Sequence, residues 1–65
     1  MSDLKIHIIR KSGITVIQPT TQGMIDREEI LRTVYNRDHP DDKYAMVVGE
    51  SLPDGYLEDG EWIGE

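Results

Sequence analysis

The stretch LKIHIIRKSGITVIQP, residues 4–19, does most to limit what this chain can fold into. β-Branched residues dominate both arms and Ser12-Gly13 interrupts them, which is the pattern of a β-hairpin. Two registers compete. A two-residue Ser12-Gly13 loop pairs Lys11 with Ile14 and Ile9 with Val16. A three-residue loop, Lys11-Ser12-Gly13, pairs Arg10 with Ile14, Ile8 with Val16 and Ile6 with Gln18. The second is preferred because it gathers Leu4, Ile6, Ile8, Ile14 and Val16 on one face. It also puts Gly13 at the left-handed position of a type I turn plus bulge. The opposite face then holds Lys5, His7, Ile9, Thr15 and Ile17, and is only half polar. Either another segment covers it in part, or it is a contact surface.

Pro19 lacks an N–H for the ladder and ends the second strand. A helix follows, with Asp26 expected at its N-cap and Glu29 at the N3 position of a capping box. Ile25 and Ile30 then flank that cap as a hydrophobic staple. Ile30, Leu31, Val34 and Tyr35 share one stripe, predicted to pack on the hairpin. Asn36 is the expected C-cap, and Pro40 forbids continuation.

DHPDDK is a turn-rich connection, and KYAMVVG is a third strand, apolar on both faces and so suited to a central place. Two further turns follow, Leu52-Pro53-Asp54-Gly55 and Glu58-Asp59-Gly60. Asp59-Gly60 can close a small hairpin between Tyr56-Leu57 and Trp62-Ile63. The reading is an α+β fold: a small ββαβ domain over residues 1–65, its hairpin and third strand packed on one helix, with a short turn-rich C-terminal segment.

Such a chain is near the lower limit for folding alone. With 65 residues it buries about 60% of its unfolded surface, and its core supplies roughly 3–5 kcal/mol. It has no Cys, hence no disulfide staple and no thiolate metal site. Residues 1–10 lack the basic start and apolar run of a signal peptide. No stretch approaches the ~20 apolar residues of a membrane span. A cytoplasmic protein without a membrane partner is expected.

Charge is unevenly placed. The net charge is −6, yet residues 1–43 hold seven Lys/Arg and seven Asp/Glu. Residues 44–65 hold six acids and no base: Glu50, Asp54, Glu58, Asp59, Glu61 and Glu65. A net negative chain is poorly suited to bind nucleic acid directly, since that requires Lys/Arg to displace counterions from phosphate.

Catalytic chemistry has little to stand on. His7 falls on a strand and His39 in a turn, Ser2, Ser12 and Ser51 have no motif around them, and no Gly-rich phosphate loop occurs. No enzyme and no cofactor are expected. Asp38, His39, Asp41 and Asp42 read as a solvated turn. An EF-hand beginning at Asp54 fails because Tyr56 occupies its third position. No metal site is expected.

The acidic end is interleaved with Tyr56, Leu57, Trp62 and Ile63, which argues against full disorder. Either these apolar residues complete a small core while the acids face water, or the fold holds the acids as a binding surface. Alternate strand residues are ~6.8 Å apart, about two ~3.4 Å phosphate steps along one DNA strand. Carboxylates at that spacing imitate a nucleic-acid backbone, and Trp62 or Tyr56 adds an aromatic anchor.

Two resemblances bear on these choices. The order of LKIHIIRKSGITVIQPTTQ and IDREEILRTVYNRDHPDDKYAMVVGESLPDG resembles the β-grasp fold of ubiquitin-like proteins, with its opening hairpin, helix and third strand. In size, charge and composition, GESLPDGYLEDGEWIGE above all, the chain resembles small phage-encoded inhibitors of the anti-CRISPR type. The second resemblance implies an inhibitor, a DNA mimic, acting in the host cytoplasm on a protein with a basic, nucleic-acid-binding surface. The partner-binding residues are then Glu50, Asp54, Tyr56, Glu58, Asp59, Glu61, Trp62 and Glu65. The first implies instead a protein-interaction domain working through Ile9, Ile17 and His7 on the exposed hairpin face. The chain itself is expected to be a monomer or weak dimer.

Overall fold

In the computed structural model, which describes residues 4–64, the first hairpin does form, but in a third register. Strands β1 (Lys5–Arg10) and β2 (Gly13–Ile17) pair antiparallel, with Arg10 opposite Gly13, Ile8 opposite Thr15 and Ile6 opposite Ile17. Only Lys11 and Ser12 lie outside the ladder, and neither takes a positive φ. Gly13 absorbs the twist of that turn at φ +151°, a value L side chains rarely adopt.

A shift of one residue turns every β2 side chain to the other face. Ile17 and Thr15 therefore join Ile6 and Ile8, while Ile14 and Val16 join His7 and Ile9. The gain is visible at one end of the sheet. Ile17 packs against the core of Ile6, Ile8 and Tyr44. At the other end the Arg10 guanidinium carbon lies 5.0 Å from the Tyr35 ring centre and 4.6 Å from that of Tyr44. That is cation–π distance.

The expected exposed face of the hairpin is overturned with the register. Ile9 is 3% exposed and His7 5%, and the His7 ring nitrogen Nδ1 lies 3.2 Å from the Val47 carbonyl oxygen. Ile17 is half-buried. The apolar residues this hairpin does present to solvent are Ile14 and Val16.

Strand β3 (Ala45–Gly49) pairs antiparallel with the other edge of β1, giving the sheet order β2-β1-β3. The central strand is thus β1, whose four middle residues are all buried, and not the third strand. Burial on both faces suits Ile6, Ile8 and Ile9, and the one polar residue among them, His7, has its ring nitrogen beside the Val47 carbonyl.

Helix α1 (Gln22–Asp38) lies over the Ile6/Ile8 face through Ile25 and Tyr35. It begins four residues before the expected cap. Thr21 is the N-cap, its carbonyl accepting from the Met24 N–H at 3.2 Å. Asp26 sits inside the helix, accepting from Gln22 Nε2 at 3.3 Å. The C-cap is His39, whose N–H donates to the Tyr35 carbonyl, and Asn36 is used elsewhere. Starting early lets Ile25 reach the core, where a staple position would have left it outside.

The face turned to the sheet is Ile25, Glu28, Arg32, Tyr35 and Asn36, all half-buried and spaced at three, four, three and one. The expected stripe is only partly used: Ile30, Leu31 and Val34 stay 64%, 45% and 41% exposed. Beyond β3, strands β4 (Gly55–Glu58) and β5 (Glu61–Gly64) form a separate antiparallel hairpin, with β5 beside β3. Among the described residues the architecture is α+β, one helix with five strands in two antiparallel sheets.

Candidate functional site: an acidic hairpin face

The second hairpin is built on Asp59-Gly60, as the sequence predicts. Both residues have positive φ, +49° and +80°. That is the requirement of a two-residue type I′ turn and the reason Asp-Gly closes it. Gly60 is needed for a second reason. It is buried, and a Cβ there would stand 2.8 Å from the Lys43 Cβ. Its carbonyl accepts from Arg32 Nη1 at 3.5 Å, so the helix holds the turn.

Alternation along the two short strands then sorts the side chains. Glu58 pairs with Glu61 and Tyr56 with Ile63 on one face, and all four are exposed. Leu57 pairs with Trp62 on the other, and both are half-buried. Trp62 is thus turned away from the carboxylates, its indole Nε1 buried and without a hydrogen-bond partner among the described residues. Tyr56, 58% exposed, is the aromatic residue that shares their face.

Glu58 and Glu61, directly opposite, bring their Cβ atoms to about 4.5–5.5 Å, an arrangement that destabilises a hairpin. Asp59 extends the negative charge round the turn. Its carboxylate lies 3.5 Å from Lys43 Nζ, and the Arg32 guanidinium reaches the carbonyl of the adjacent Gly60. At the far end of the hairpin, Asp54, Gly55, Tyr56, Ile63 and Gly64 line an open hollow of about 440 Å³.

Three of the predicted acids, Glu58, Asp59 and Glu61, are therefore brought together, and Asp54 joins Tyr56 at the hollow. Glu50 is exposed in the bend after β3, apart from the hairpin ladder. Glu65 lies outside the described residues. Ile63 and Lys43 were not foreseen. The period-two alternation of GYLE and EWIG carries the signal for Ile63, which falls on the Tyr56 face. Nothing local marks Lys43, which reaches Asp59 from a different segment.

The other charged turn is occupied with structural bonds. Tyr35 Oη donates to Asp42 at 2.7 Å, Arg37 Nε to Asp38 at 3.5 Å, and the His39 ring stacks on Tyr35 at 4.1 Å between centres. The bond to Asp42 is the main cause that raises the Tyr35 pKa above its ordinary value. Burial is the main cause of the rise at Tyr44. Among the described residues no three His, Asp or Glu side chains converge to hold a metal ion. No helix among them is long and apolar enough to cross a membrane. A scan against protein-family models and searches of curated proteins and of solved structures found no match for the chain.

Proposed function

We propose that the protein is a small binding inhibitor whose β4–β5 hairpin docks on a basic, nucleic-acid-binding site of a partner protein, in the manner of a DNA mimic and of the anti-CRISPR kind. The observation that carries this reading is the placement of Glu58 opposite Glu61, with Asp59 in the turn between them. A cross-strand pair of like charges destabilises a small fold. A solubilising surface has no need of that geometry, because the same charges placed apart would serve. A surface built to meet cations does need it.

Glu58 and Glu61 supply the paired charges, Asp59 the third, and Asp54 a fourth beside the hollow. Tyr56 and Ile63 supply apolar contact next to them, the combination in which an aromatic anchor concentrates binding energy. Trp62 supports the hairpin from beneath. Complementary charge speeds encounter and makes it salt-sensitive.

The test is affinity capture from host lysate with the tagged wild type and with Glu58→Lys/Glu61→Lys in parallel. The expected partner is retained by the wild type alone, released by raised salt and displaced by duplex DNA. Capture that is equal for both baits, or indifferent to salt and DNA, overturns the reading.

A further inference from the structure

The helix carries a second surface that the acidic hairpin does not use. Ile30, Leu31 and Val34 are exposed although they are the most apolar run of α1. At 3.6 residues per turn, Arg27, Leu31, Val34 and Asp38 recur at spacings of four, three and four and fall on one stripe. All four are exposed. Along the helix they form a charge-inverted palindrome about the midpoint between Arg32 and Thr33: Leu31 mirrors Val34, and Arg27 mirrors Asp38.

A two-fold interface requires this property, since each residue i that meets j must also be met by i across the axis. We infer that a second copy of the chain covers this stripe, the two α1 helices packing antiparallel across a two-fold axis. Leu31 then meets Val34 of the other copy twice, and Arg27 meets Asp38 twice. A parallel pairing would set Arg27 on Arg27 and Asp38 on Asp38, and is excluded by like-charge repulsion.

The position of Asp38 supports the same occupant. It is the last helical residue, at the negative end of the helix dipole, where a carboxylate is unfavourable. Its intrachain partner is Arg37 at 3.5 Å, with both side chains more than half exposed, a pair worth little. Arg27 from a second copy offsets that placement. The contact runs about 16 Å along each helix, so the buried area is at the small end for specific interfaces and the dimer is weak and concentration-dependent.

The experiment is sedimentation equilibrium of the full chain from about 10 μM to 1 mM, a range that spans weak association. The mass is expected to rise from the 7.4 kDa monomer toward twice that value. Arg27→Asp and Asp38→Arg are each expected to raise the dimer Kd about tenfold, as two symmetry-related pairs turn repulsive. The double swap Arg27→Asp/Asp38→Arg restores association, which a merely disruptive change would not do. Circular dichroism checks that each variant stays folded. Glu58→Lys/Glu61→Lys should dimerise like the wild type, which separates this inference from the fate of the acidic face. A chain that stays monomeric throughout, or a double swap that fails to restore what the single swaps lose, overturns it. So does a dimer that ignores the swaps but is lost on Ile14→Asp/Val16→Asp, which would place the contact on β2.

Discussion

The Asn36 side chain holds both backbone groups of Tyr44: its Nδ2 donates to the Tyr44 carbonyl at 2.9 Å, and its Oδ1 accepts from the Tyr44 N–H at 3.0 Å. One amide from the helix thus acts as a strand partner for the residue that leads into β3. Tyr44 is in the core, so these backbone groups have little access to water. Asn36→Ala is expected to cost at least about 2 kcal/mol, since each of the two bonds contributes roughly 1 kcal/mol and the orphaned groups add a desolvation penalty. Asn36→Asp keeps the acceptor but sets a carboxylate oxygen against the Tyr44 carbonyl near the negative end of the helix, and should lose at least as much. Urea titration followed by circular dichroism measures both, and a loss under half a kcal/mol for the alanine variant would sink the assignment.

Gly60 is restricted twice, by its own φ of +80° and by a close neighbour. Gly60→Ala combines the strain of positive φ with a Cβ 2.8 Å from that of Lys43. A loss of about 1–3 kcal/mol is expected from the backbone conformation alone. For a domain of this size each kcal/mol lowers the melting temperature by about 4–8 °C. Gly13→Ala is the control: its φ is also unfavourable, but no atom lies within 4 Å of the new methyl. It should cost less than Gly60→Ala, and the reverse order in thermal melts would contradict the tight seat of the turn.

Alkaline pH should loosen the fold through Tyr35 and Tyr44. Both have pKa values raised above the ordinary 10.0, Tyr35 chiefly by its hydrogen bond to Asp42 and Tyr44 chiefly by burial. The folded state therefore holds the phenolic protons more tightly than the unfolded chain. Their contribution is present in full below 10.0 and is lost as pH rises through the higher folded-state values. Urea midpoints should fall over that window, and more gently in Tyr44→Phe and in the Tyr35→Phe/Tyr44→Phe double variant. An unchanged alkaline slope in the double variant would assign the loss to other groups.

Relieving the like-charge pair should separate stability from binding. Glu61→Lys sets a cation opposite Glu58 and is expected to raise stability by about 0.5–1 kcal/mol. The gain should shrink in high salt, because both side chains are exposed. Partner binding should weaken at the same time. A variant that is no more stable in low salt would remove the argument that this pair is held at a cost.

Local chemistry was the legible part of this fold. The Asp59-Gly60 turn depends on two backbone conformations set by its own residues, and it forms as expected. The first hairpin was legible as a hairpin but not in register. Collecting apolar residues on one face fixes a register only where the other face meets water, and β1 is buried on both. The helix start failed for a related reason: Asp26 and Glu29 make a good local cap, but Ile25 gains more by packing on the sheet. The stripe Ile30, Leu31 and Val34 was read from periodicity alone, while Asn36 and Arg32 bind the helix to Tyr44 and Gly60 by a different face. Of the acidic site, the charges could be counted in the sequence. Alternation on either side of Asp59-Gly60 also sets Tyr56 on the face of Glu58 and Glu61, and Trp62 with Leu57 on the other, but which of the two faces packs on the fold is set by distant residues.

Hairpins are ordinarily held where their strands enter the fold and are least constrained at the turn. In the β4–β5 hairpin the turn is the pinned end, wedged through Gly60 between Arg32 and Lys43. The backbone that carries Glu58, Asp59 and Glu61 has thus already given up its freedom when the chain folds. Association would otherwise exact that ordering cost, about 0.5–1.5 kcal/mol for each side chain immobilised and more for a loop. If the hairpin docks as proposed, one seized by its tip would enter as a rigid tooth, and slow release rather than fast capture is where that rigidity would be felt.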